Sequence, residues 1–122
     1  MNELVPSGWS TYVRQALAGA RLLRANVQRL DSPVKVNLCV TYWCQYRCKT
    51  CNIWKRKPKN ELTLEEIDRF FTRSNRFNWI DFTGGEPWLR KDFPDIVLSA
   101  LKHCPNLVLV HFPTNGYQTE QI

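Results

Sequence analysis

The amino-acid sequence predicts an α/β protein built on a parallel sheet, and three observations lead there. Candidate helices and strands alternate along the chain, each candidate strand stops at a loop rich in turn-forming or cysteine residues, and a capping signature opens the helix between the first two strands. A length of 122 residues suffices for one domain with a core, and 43% hydrophobic with 23% charged residues is a globular composition.

The elements follow in order. From about Ser10 to Leu30, Val13, Ala16, Leu17, Ala20, Leu23, Val27 and Leu30 recur at helical spacing with Arg14, Arg21, Arg24 and Arg29 among them. This is an amphipathic helix, expected to pack its apolar stripe on the domain, with docking on a membrane surface as the other use of such a pattern. Residues 1–32 are thus read as an N-terminal helical extension and 33–122 as the core. Asp31, Ser32 and Pro33 end the helix and open strand one, Val34 to Val40, where β-branched residues dominate. Thr63 and Glu66 have capping-box spacing, and Leu64, Ile67, Phe70 and Phe71 give the following helix its apolar face up to Ser74. Trp79 to Thr83 is a buried strand that stops at Gly84-Gly85. Asp92 and Asp95 begin a helix carrying Ile96, Val97, Ala100, Leu101 and Cys104, and Pro105-Asn106 closes it. Leu107 to Phe112 is strand three, turned by Pro113-Thr114-Asn115-Gly116.

Strands joined through helices run parallel, so the loops after all three strands crowd onto the carboxyl edge of the sheet. One of these loops holds Cys44, Cys48 and Cys51 in the run CQYRCKTC. Three clustered thiols can hold a metal centre yet leave a tetrahedral or cubane site one ligand short, and an open position is where metal chemistry takes place. Cys39 and Cys104 have no partner at motif spacing and are read as buried small apolar residues; His103 and His111 are read as structural. Five cysteines so arranged form no even disulfide framework, which fits a reducing compartment. With Glu3 before any base and no compact apolar core at the start, a secretory leader is not expected, no run is apolar enough to span a membrane, and the chain reads as soluble and cytoplasmic.

The formal net charge is +6, and six bases lie between Arg47 and Lys59 with no acid among them. Without regular aromatic interleaving or a nucleic-acid module, that run reads as a solvated loop face, and no nucleic-acid partner is expected.

A cysteine triplet of the form C-x-x-x-C-x-x-C after the first strand, GGEP after the second and TNG after the third together resemble the radical S-adenosylmethionine enzymes. The motifs span Val34 to Gly116. The resemblance implies a TIM-barrel-like partial (β/α) barrel, of which three βα units are present here. It implies that Cys44, Cys48 and Cys51 bind three irons of a [4Fe-4S] cluster while S-adenosylmethionine chelates the fourth. Reductive cleavage of S-adenosylmethionine would then yield a 5′-deoxyadenosyl radical that takes hydrogen from a substrate, of the kind met in peptide maturases or cofactor biosynthesis. The electron would come from a reducing partner such as flavodoxin or ferredoxin.

Under that resemblance, Gly84 and Gly85 let backbone approach a ligand, Glu86 or nearby carbonyls accept from its amino group, and Pro87 stiffens the turn. Thr114 and Asn115 line the same site. Thr50 stands where many members carry an aromatic near the adenine, so backbone around Thr50 and Asn52, or Trp54, would shape that pocket; Trp54 is otherwise core packing or a cover for the cluster. Chain end at Ile122 implies a fragment, since an eight-stranded barrel takes about 250 residues, and its last strand would present an unpaired edge that lowers solubility. Two other readings use the same cysteines: a structural zinc module closed by Cys39 or Cys104, and an electron-transfer iron–sulfur protein, neither of which explains GGEP.

Overall fold

A computed structural model describes residues 9–120. Its elements run α1 (Trp9–Ala25), β1 (Lys35–Thr41), α2 (Leu64–Arg73), β2 (Trp79–Gly84), α3 (Phe93–His103) and β3 (Leu109–His111), with short 3-10 turns at Ile53–Lys55 and Pro87–Leu89. The strands form one parallel sheet in the order β1-β2-β3. The alternation predicted from sequence is therefore present, and β2 is the central strand.

Strand periodicity decides which side is covered. Val36, Leu38, Val40, Ile80, Phe82 and Val110 face α2 and α3, where Ile67, Phe71, Phe77, Phe93, Ile96, Ala100 and Cys104 complete the core. Lys35, Asn37, Cys39, Leu109 and His111 are exposed on the other side. One face of the sheet is apolar and covered by helices, and the other is open. On that face Asp81 accepts from Lys35 Nζ at 2.6 Å and from Trp79 Nε1 at 2.5 Å, with His111 Nδ1 at 3.2 Å.

α2 starts where expected, with Glu66 N donating to Thr63 Oγ1 and Thr63 N to the Glu66 carboxylate. α3 departs in its cap. Asp92 makes no side-chain cap, because its carboxylate receives Arg90 Nε at 2.7 Å and Nη2 at 3.0 Å. Asp68 of α2 accepts from Ser99 and lies 3.0 Å from His103 Nε2 on α3, which gives His103 its structural place.

Two expectations are corrected. Cys104 is buried and its thiol is pushed up to about 11 by burial, but Cys39 is exposed, because it shares the odd-numbered face of β1 with Lys35 and Asn37. The apolar stripe of α1 does not pack on the domain. Ala18 is its one buried residue among those described, whereas Leu23 is 72% exposed and Val27, beyond the helix end, is 84% exposed. Arg21 is a side chain of this helix that reaches the domain through hydrogen bonds. Its guanidinium donates to Arg76 O, Asn78 Oδ1, Ser32 O and Ser32 Oγ, so Arg21 faces the domain while Leu17, Leu23 and Val27 of the stripe are exposed. The helix also stops at Ala25, short of Leu30, where Asn26 Nδ2 donates back to Leu22 O. None of the described helices is long and apolar enough to cross a membrane.

Candidate functional site

The carboxyl edge of the sheet gathers the three motif-bearing loops. β1 carries an irregularity between Cys39 and Thr41 before pairing Thr41 with Gly84, and a bulge at a strand end re-aims the chain that leaves it. That chain is the cysteine loop. Arg90, fixed by Asp92, donates to Val40 O at 2.7 Å, and Glu61 Oε1 accepts from Tyr42 N at 2.6 Å and Thr41 Oγ1 at 3.0 Å. Thr41 Oγ1 in turn accepts from Trp43 N.

Gly84 and Gly85 are required by this same contact. Gly84 has φ +132°, and a Cβ on Gly84 or Gly85 would run into the carbonyl oxygens of Thr41 and Trp43 respectively. Gly85 N donates to Thr41 O and Glu86 N to Trp43 O, both at 2.8 Å. The missing side chains let the second loop close on the first, so the approach the glycines permit is to the cysteine loop itself.

Glu86 is 2% exposed. Its Oε1 accepts from Thr114 Oγ1 at 2.9 Å and its Oε2 from Asn115 N at 2.7 Å, with Trp88 N at 3.4 Å. The carboxylate joins the GGEP and TNG turns. Pro87 is buried at the start of the following 3-10 turn. Gln45 Nε2 donates to Asn115 Oδ1 at 3.2 Å and thereby links the cysteine loop to the third turn. Gln45 Oε1 and Asn115 Nδ2 are buried and without a hydrogen-bond partner. A buried acceptor and donor left unmet are costly to leave unmet and mark a place for a ligand or water.

Cys44 is half-buried beside this network, and Cys48 and Cys51 are exposed, joined by a turn in which Cys51 N donates to Cys48 O. Among the described residues no three Cys, His, Asp or Glu side chains stand in a ready-made metal geometry. Thr50 and Asn52 are exposed, with no hydrogen bond to the GGEP or TNG turns among the described residues. Trp54 belongs neither to the core nor to the three-loop network: Arg47 and Lys55 flank its ring at 5.4 and 5.3 Å. Glu61, Arg90 and Gln45 are site-building residues that sequence reasoning missed. No spacing rule ties them to partners this far along the chain.

The donor set fits an iron–sulfur cluster of the kind the motifs imply. Three thiols on one short loop suit iron and sulfide. The unmet amide atoms of Gln45 and Asn115 beside that loop fit a polar cosubstrate.

Comparison with known proteins gives the same direction. The chain is 33% identical over 99 residues to a probable GTP 3′,8-cyclase of Thermococcus kodakarensis, covering 77% of this chain and 31% of that protein. It is 36% identical over 90 residues to a GTP 3′,8-cyclase of Cronobacter sakazakii, covering 68% of this chain and 27% of that protein. The matched part is thus about a third of the length of these relatives or less. Residues 38–122 match the family model of the Radical SAM superfamily, and the chain belongs to that superfamily.

Proposed function

We propose that this chain is the cofactor-binding portion of a radical S-adenosylmethionine enzyme, with residues 33–122 as a partial core and residues 1–32 as an extension. The observation that carries this reading is the hydrogen-bonded closure of three strand-end loops around the cysteine run, from Thr41–Trp43 through Gly85–Glu86 to Thr114–Asn115. Cys44, Cys48 and Cys51 would hold three irons of a [4Fe-4S] cluster. When bound, that cluster and S-adenosylmethionine supply one-electron cleavage of a carbon–sulfur bond and a radical able to take hydrogen from a substrate.

The chain's own residues do the positioning. Carbonyls of Gly84 to Glu86 accept from the cosubstrate's amino group, Asn115 Nδ2 donates to its polar end, and Gln45 Oε1 accepts beside it. Thr114 holds Glu86 in place, and the backbone around Thr50 and Asn52 borders the adenine. The relatives' names make GTP the first substrate to test, ahead of the peptide class.

Anaerobic reconstitution with iron and sulfide tests the reading. A broad visible absorption that disappears in a Cys44→Ala, Cys48→Ala, Cys51→Ala triple variant is expected, and S-adenosylmethionine should perturb the electron paramagnetic resonance of the reduced centre. Uptake of zinc alone would return the cysteines to a structural module. A cluster whose spectrum ignores S-adenosylmethionine would make the chain an electron carrier.

A further inference from the structure

We infer that two adjoining cavities at the amino edge of the sheet bind a small organic phosphate, with the phosphate among arginines and its apolar body against the start of β1 and the end of α2. The site lies across the sheet from the cysteine loop and uses none of the cluster chemistry. Ser32 precedes β1 and Arg76 precedes β2, whereas the three motif-bearing loops follow their strands. The seven residues of β1 set the two edges about 20 Å apart.

The first cavity, of about 360 Å³, is lined by Arg21, Arg24, Arg29 and Arg76 and by one acid, Asp31. Among the described residues the ion pairs are Lys35–Asp81, Arg90–Asp92, His103–Asp68 and His111–Asp81, so no carboxylate pairs with any of these four guanidiniums. Arg21 is already fixed in the wall. Its four hydrogen bonds go to neutral acceptors on Arg76, Asn78 and Ser32, which hold its charge in place without compensating it. Four guanidiniums against one carboxylate leave three positive charges around one hollow. Planar guanidinium forks match phosphate oxygens, and a phosphate dianion offsets an excess that a single carboxylate would leave largely standing.

The second cavity, of about 370 Å³, shares Asp31, Ser32 and Arg76 with the first and extends over Pro33, Val36, Phe70 and Phe77. The rings of Phe70 and Phe77 stack at 5.8 Å between centroids, and both belong to the packed core, so this wall is preformed. Arg73 also lines it, while Lys35 is committed to Asp81. Such a wall offers little to an inorganic ion. It suits a hydrocarbon or aromatic body joined to the phosphate, and both cavities fall at the lower end of the small-molecule range of about 300–1,000 Å³.

The test is calorimetric titration of the chain with phenyl phosphate and with inorganic phosphate. Phenyl phosphate should bind about tenfold tighter or better, because its ring leaves water for the apolar wall. An Arg24→Ala/Arg76→Ala variant should lose about tenfold or more in affinity for it, as the removal of two charged donors requires. Lys57→Ala/Lys59→Ala has the same change in net charge but touches neither cavity, and should bind as the parent does. Circular dichroism of the arginine variant separates lost binding from lost folding. The parent chain gives a second readout that needs no variant, because a ligand bridging Arg24 and Arg76 holds α1 against the domain. At about ten times the Kd of phenyl phosphate, trypsin should cut after Arg24 and Arg29 about tenfold more slowly, since a ligand bound only to the closed form lowers the open population by that factor. Tighter phenyl phosphate binding that is lost in a folded arginine variant, or slowed cleavage in the parent, supports the site. No binding of phenyl phosphate, equal affinity for inorganic phosphate, equal loss in the lysine control, or binding of single-stranded RNA or anionic vesicles in place of the small phosphate overturns it.

Discussion

The carboxylate of Glu86, buried after the second strand, accepts the backbone N–H of Asn115 at 2.7 Å across a separation of 29 residues. With Thr114 on its other oxygen, this side chain fixes how far the third turn stands from the cysteine loop. A buried carboxylate so placed is a strut between loops.

Replacing Glu86 with Gln therefore sets an amide N–H₂ against a donor. One acceptor is lost in a buried place, and a cost of about 1–3 kcal/mol follows. Urea unfolding should show that loss, and hydrogen exchange at Asn115 and Gly116 should speed up more than exchange in β2. Loss of S-adenosylmethionine response with unchanged stability and exchange would return Glu86 to the role of direct ligand.

The glycines give a contrast in kind. Gly85→Ala drives a Cβ into the backbone carbonyl of Trp43, which cannot rotate away, whereas Gly116 has φ +71° and nothing within 4 Å of an added Cβ. Gly116→Ala should cost about 1–2 kcal/mol, the strain of a left-handed alanine. Gly85→Ala should cost at least about 3 kcal/mol, at the upper end of overpacking, because backbone must move. Equal melting temperatures for the two variants would show that the two loops separate easily.

How much of this could be read from the sequence depends on how far apart the partners lie. The Thr63–Glu66 capping box was legible because both bonds close within four residues, and β2 because six residues show its apolar run and its stop at glycine. The three motifs were legible as neighbours because parallel strands force their loops to one edge. What those loops do to one another was not. Glu61 reaches Tyr42 across 19 residues, Arg90 reaches Val40 across 50 and Gln45 reaches Asn115 across 70. The stripe of α1 announced a helix but could not say which side faces the domain, since the acceptors that Arg21 meets lie in distant segments.

Acid should loosen the pairing of α2 with α3. The Ser99 hydroxyl, and then His103, hold the Asp68 carboxyl below its ordinary range, and Lys35 and then Trp79 do the same for Asp81. A carboxyl depressed on folding stabilises the protein above its unfolded pKa, about 3.9 for aspartate, and that contribution is lost as pH falls through the lower folded value. Stability should thus decline below about pH 4. Ser99→Ala removes the first cause for Asp68 and should make the decline shallower while lowering stability at pH 7. A variant with the parent's acid slope would place the acid-sensitive groups elsewhere.

α1 is tied to the domain through a charged side chain. Four hydrogen bonds from the Arg21 guanidinium reach Arg76, Asn78 and Ser32, while Ala18 is the one buried side chain of the helix among the described residues. Hydrogen bonds from a charged donor are worth about 1.5–3 kcal/mol each at best, and much less where solvent competes. They tie α1 to the segments that lead into β1 and β2. Arg21→Ala should free α1 as a unit, so that trypsin cuts after Arg24 and Arg29 at least about tenfold faster, one decade being about 1.4 kcal/mol of local opening. The unfolding midpoint followed through β2 should barely move, because Ile80 and Phe82 pack on α2 and α3. Arg21→Lys, which offers one point charge in place of a planar fork, should fall between the two. Unchanged cleavage in Arg21→Ala would mean that contacts through Ala18 and its neighbours suffice to hold the helix, and that its outward-facing stripe has a cause other than this arginine.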